Sequence, residues 1–153
     1  MTKKMVGGCA IALAAFTVVC ILLISGIRYI FKDNYLSKEE IFDVVNKNYD
    51  IIMSDIQKGE FTKTEDIKGI EKVLDNDGVV EFYCGGEGIS VSGADYGFYY
   101  TEDNLPKVSF LDYVLFDEDD LVPKDNGYCF DKYDYYYTEK IRDNFYYYES
   151  HFY

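Results

Sequence analysis

The sequence predicts an α+β fold: one amphipathic helix packed on a curled antiparallel sheet of about six strands. Three observations predict it. A capped segment after residue 37 carries apolar residues at three- and four-residue spacing. From Ile67 onward the apolar period shortens to two. The strand-like runs that follow are joined by Asx, Gly and Pro turns with no further helical pattern between them, so no crossover helix supports parallel pairing. Cystatin-like and nuclear-transport-factor-like sheets are two arrangements of this kind.

Ahead of that domain lies a different kind of sequence. The first 32 residues hold no acid, and Val6 to Ile27 runs for 22 residues without a charge. About 20 such residues cross a hydrocarbon core as a helix. A cleaved signal peptide has a shorter apolar region ending in small residues, and Ile24-Ser25-Gly26 is a poor cleavage site. The expectation is a signal-anchor at 1–32, spanning the plasma membrane once through residues 6–27. The five-residue tail ahead of the span places the C-terminal domain, 33–153, outside, while the lysine and arginine counts on the two sides nearly balance.

That domain carries all 28 acids against 11 of the 15 bases, a net charge of −17. Nucleic-acid binding needs a basic footprint, so it is excluded as a partner. An anionic membrane surface repels the domain as well.

Each element then has its own signal. Ser37-Lys38-Glu39-Glu40 fits a capping box, in which the serine caps the third amide and Glu40 reaches back. Ile41, Val44, Val45, Asn48, Ile52 and Ile56 form one stripe, and Gly59 suits a left-handed stop, so a helix is predicted over 38–58. Asp75-Asn76-Asp77-Gly78 between two apolar runs predicts a hairpin. Asp103-Asn104-Leu105-Pro106 predicts the next turn. Lys107 to Phe116 reads as a strand, and Asp117 to Gly127 as a long acidic loop. A last hairpin turns at Asp143-Asn144. A two-residue turn there sets Arg142 opposite Phe145, Ile141 opposite Tyr146 and Glu139 opposite Tyr148. In that register Glu139 shares the core side with Tyr135, Tyr137, Tyr146 and Tyr148, and is the candidate buried acid, with the Tyr148 hydroxyl its nearest partner.

Three stretches, Val79-Val80-Glu81-Phe82-Tyr83-Cys84-Gly85-Gly86, Tyr96-Gly97-Phe98-Tyr99-Tyr100 and the run from Tyr137 to Glu149, carry a resemblance. As a set they are similar to a family of small membrane-anchored proteins of anaerobic Gram-positive gut bacteria. The resemblance implies placement at the membrane and brings no activity with it. Cys129 departs from the aromatic or charged residue that the family pattern implies before the last hairpin.

The chemical motifs are incomplete. Cys84-Gly85-Gly86-Glu87-Gly88 follows a strand, but no GK[ST] follows and Glu87 repels phosphate. The third glycine of a dinucleotide loop is absent too. A glycine-rich connection between two strands is the expectation. Cys84 as a nucleophile needs a base, and the sole histidine is His151; an acidic setting raises a thiol pKa. Cys84 and Cys129 are alternatively buried thiols or a disulfide. Asp75 to Gly78 has the wrong residues at the first and twelfth positions of a calcium loop, and zinc-type spacing is missing. No catalytic residue, metal or cofactor is predicted.

The aromatics are the anomaly: 17 Tyr and 11 Phe, with no Trp. Tyrosine suits a half-buried sheet, and it also makes rigid amphipathic contact surfaces. Tyr83, Tyr99, Tyr136, Tyr147 and His151 are the candidate ligand platform. The function expected is a non-enzymatic envelope domain that binds a peptide, glycan or protein partner. The alternatives are a thiol-dependent hydrolase using Cys84 and His151, or an immunity-like structural membrane protein.

Overall fold

The change of period at Ile67 is the boundary between helix and sheet. A computed structural model of the chain describes residues 35–76, 78–89, 92–108, 121–131 and 135–152, all within the unit Asn34–Tyr153. The predicted membrane span lies outside these residues, as do the acidic run 117–120 and most of the strand expected over 107–116. Among the described residues no helix is long and apolar enough to cross a membrane.

Helix α1, Lys38–Lys58, has both ends that the sequence predicts. Ser37 Oγ accepts from the Glu40 amide, and Glu40 Oε2 accepts from the Ser37 amide at 2.9 Å. Gly59 closes the helix at φ 64°. Ile41, Val45 and Ile52 are fully buried, each burial contributing about 1.5–3 kcal/mol. Asn48 interrupts the helical dihedrals, and its side-chain amide donates to the Val44 carbonyl at 2.9 Å. A short second helix, α2 (Thr62–Glu65), is tied back to α1: buried Asp55 accepts from both the amide and the hydroxyl of Thr64.

Among the described residues seven strands form one open antiparallel sheet: β1 (Lys72–Asn76), β2 (Val79–Ile89), β3 (Ser92–Thr101), β4 (Val122–Lys124), β5 (Gly127–Asp131), β6 (Tyr135–Arg142) and β7 (Phe145–Phe152). Their order is β1-β2-β3-β7-β6-β5-β4. The chain is two meanders, 1-2-3 and 4-5-6-7, joined where the last strand pairs with the third. Helix α1 crosses one face, over a core that includes Phe82, Phe98, Phe145 and Tyr147.

Three expectations are corrected. The glycine-rich stretch is part of β2, with no connection between strands. Tyr83 pairs with Gly97 and Gly86 with Asp95, so Cys84 and Gly85 together oppose Tyr96 in a bulge, with Gly85 at φ 99°. A glycine within a strand permits that kink without ending the pairing. The end of the acidic loop is the hairpin β4–β5, turning at Asp125-Asn126 with Asp125 at φ 51°. The last hairpin keeps Arg142 opposite Phe145 but bulges at Ile141, so Lys140 faces Tyr146 and Glu139 faces Tyr147. The slip moves every β7 side chain to the face opposite the one expected, while β6 keeps its assignment.

Candidate functional site

Alternation along the strands sorts the tyrosines onto two faces. On the face away from α1, Tyr99, Tyr136, Tyr146 and Tyr148 form a second core with Val108 and Phe130. The segment 102–108 lies over it, and the hydroxyls bond that segment's backbone. Tyr99 accepts from the Lys107 amide at 2.9 Å, Tyr136 donates to the Lys107 carbonyl at 3.0 Å, and Tyr146 donates to the Asn104 carbonyl at 2.7 Å. A phenylalanine core would leave these backbone groups without protein partners. The Tyr148 ring lies over Gly97, where an added Cβ would stand 2.7 Å from it.

The predicted platform is therefore divided. Tyr99 and Tyr136 lie in this second core, at most 1% exposed. Tyr83 shares their face, where its hydroxyl donates to Asp95 at 3.3 Å. Burial, then the Asp95 charge, pushes it up to about 12. Tyr147 and His151 lie on the α1 face, and Tyr147 is buried. The bulge at Ile141 is the reason: it sends Tyr147 and His151 to the α1 face while Tyr136 stays on the other.

The α1 face holds Glu139 and Glu149, while Glu81 and Asp95 lie on the other. Glu139 points to the α1 side, as predicted, but it is half-buried and not buried, and its partners are Lys38, at the first position of α1, and the Tyr137 hydroxyl at 2.6 Å, while the Tyr148 hydroxyl expected for it bonds buried Glu81. The Lys38 ammonium lies 5.2 Å from the Tyr137 ring centre and 5.6 Å from that of Tyr147. Burial works to raise the Glu139 carboxyl, but the bonds from Lys38 and Tyr137 outweigh it and hold it below the usual range.

One residue row further along the sheet, beyond the start of α1, a second carboxylate stands among aromatics. Glu149 on β7 lies between Tyr96 on β3 and Tyr137 on β6. Its Oε2 accepts from the Tyr147 hydroxyl at 2.9 Å, and its Oε1 lies 3.8 Å from His151 Nε2. His151 meets the Tyr135 ring edge-on at 5.3 Å and the Tyr96 ring at 6.3 Å. Tyr35 stacks on Tyr96 at 4.4 Å, and the Tyr96 hydroxyl donates to Glu87 at 2.9 Å. Side chains of His151 and Glu149 are 31% and 26% exposed, so this shelf reaches solvent. Burial first, then neighbouring carboxylates including Glu149, raises the Tyr96, Tyr135 and Tyr147 hydroxyls. Sequence reasoning named His151 but missed Glu149, Tyr96 and Tyr135 as its company, because that grouping depends on the bulge.

Of the two alternatives for the cysteines, the structure has the buried thiols and not the disulfide. Both are free and buried. Cys84 on β2 and Cys129 on β5 are four strand steps apart, about 19 Å at the usual spacing, and a disulfide needs Cα atoms within about 7 Å. No hydrogen bond joins Cys84 to His151: β3 runs between their strands, and the thiol donates to the Phe82 carbonyl at 3.7 Å within the core. Burial, then Glu71, pushes the Cys84 thiol well above its ordinary value, away from the thiolate a nucleophile requires. Among the described residues no cluster of His, Cys, Asp or Glu could hold a metal ion.

A cleft of about 660 Å³ also opens between α1 and residues 63–68, with Val44, Ile51 and Ile67 in its walls. Its charges are partly spent internally: Lys47 pairs with Asp43 at 2.6 Å, and Glu40 serves the capping box. Comparison with protein families, with curated proteins and with solved structures finds no match for this chain.

Proposed function

We propose that this chain is a non-enzymatic binding domain of the cell envelope, anchored in the plasma membrane by residues 6–27 with its C-terminal domain outside. The anchor follows from the charge-free run, and the placement agrees with the resemblance to membrane-anchored proteins of Gram-positive gut anaerobes. The observation that carries the binding role is the shelf on the α1 face where Tyr135, Glu149 and His151 reach solvent beside the buried ring of Tyr96. Rigid aromatic walls around a few polar groups are how binding sites gain contact area at low entropic cost. The shelf offers acceptors and aromatic surface but no activated nucleophile, which favours binding over the thiol-hydrolase alternative.

Two measurements test the proposal. Protease added to intact cells removes the domain if it lies outside; full protection overturns the orientation. The full chain in detergent, cross-linked to envelope extract, captures a partner whose cross-links map to strands β3, β6 and β7. Cross-links confined to the membrane span overturn the shelf as the binding surface.

A further inference from the structure

The α1 face of the sheet shows how this protein holds an ammonium group. Lys38 is ion-paired with Glu139, bonded by its carboxylate and flanked by the rings of Tyr137, Tyr147 and Phe42 at 5.2–5.9 Å. The neighbouring row repeats the ingredients: a carboxylate, Glu149, with tyrosine rings on the strands at either side and a second acid, Glu87, on the Tyr96 hydroxyl. Among the described residues no lysine or arginine pairs with Glu149, and its Oε1 accepts no hydrogen bond. At the Tyr135 edge of the shelf the Lys124 ammonium lies 4.7 Å from the ring centre and donates to the Tyr135 hydroxyl at 3.5 Å, the same pairing of an ammonium with a tyrosine.

We propose that the shelf of Glu149, Tyr96, Tyr135 and His151 binds the ammonium group of a lysine-type side chain in a peptide partner. This rests on the binding-domain reading above. An ammonium near aromatic faces and a carboxylate gains both cation–π attraction and a charge-assisted hydrogen bond. The domain's net charge of −17 draws such a partner toward it. A lysine arm suits the site better than the short ammonium of an amino sugar. Glu149 is only 26% exposed, so the group that meets it needs an apolar stem to lie along the rings. Lys38 reaches Glu139 in that way one row below.

The test uses the full chain in zwitterionic nanodiscs and isothermal titration. Acetyl-Ala-Lys-Ala-amide is compared with its norleucine isostere and with glucosamine. Expected is saturable binding of the lysine peptide, with the isostere at least about ten-fold weaker. Glu149→Gln and Tyr96→Leu should each weaken the lysine peptide by a similar factor. Where Glu149→Gln fails to give a native circular-dichroism spectrum, Glu87→Gln and a salt titration replace it, both expected to weaken binding. Equal binding of the isostere, no saturable binding of the lysine peptide, full affinity in the variants or tighter binding of glucosamine each overturns the assignment. Envelope capture that survives Glu149→Gln and is not competed by the lysine peptide removes this inference while leaving the binding-domain reading in place.

Discussion

The Tyr148 hydroxyl donates to Glu81 Oε1 at 2.7 Å, and neither residue is more than 2% exposed. The bond joins β7 to β2 across β3, over Gly97, on the face that α1 does not touch. A carboxylate buried this deeply depends on its donors. Tyr148→Phe should lower stability by about 1.5–3 kcal/mol, the range for a hydrogen bond to a charged group. Urea unfolding measures it; an unchanged midpoint would show that Glu81 does not rely on this hydroxyl.

Glu139 ties the first residue of α1 to the sheet. Its carboxyl is held below the usual range, so the tie contributes fully above that range and is lost as pH falls through the lower folded value. Glu139→Gln should destabilise the neutral protein by roughly 1.5 kcal/mol, the low end for a charged bond because Lys38 is partly exposed. The gap between variant and parent should close on acidification. Parallel melting curves from neutral to acid pH, with a constant gap, would contradict this.

Cys84 should resist iodoacetamide in the native protein at neutral pH and react rapidly in denaturant. Its thiol is 1% exposed and pushed well up by burial. Mass spectrometry of the peptide containing Cys84 reads the outcome. Fast native labelling would restore the thiol-enzyme alternative.

Ile52 has no exposed surface beneath α1. Ile52→Ala should cost about 2–5 kcal/mol, and Ile52→Asp should unfold the domain because an unpaired charge would enter the core. A melting temperature unchanged by the aspartate would refute the packing of α1 on the sheet.

Much of the molecule was legible because it is set locally. The capping box at Ser37, the stop at Gly59 and the turns at Gly78 and Asp143-Asn144 involve neighbours within four residues, so the pattern in the chain is the pattern in the structure. The inward side of Glu139 was legible too, since β6 alternates without interruption up to Lys140. The β4–β5 hairpin was missed because its turn, Asp125-Asn126, sits within an acidic run that resembles a loop.

The sequence by itself determined the charge-free N-terminal run, the acidic domain, one capped amphipathic helix and an antiparallel sheet, all consequences of spacing and composition. Tertiary structure alone decided which tyrosines share a face, because single-residue bulges at Ile141 and at Cys84-Gly85 shift strands that period-two reasoning treats as regular. It also decided that Glu139 meets Lys38, 101 residues away, and that Glu149 stands among Tyr96, Tyr135 and His151. A carboxylate's partner is chosen by the strand order 1-2-3-7-6-5-4 and by where α1 begins over it. Neither is written in the residues next to the acid.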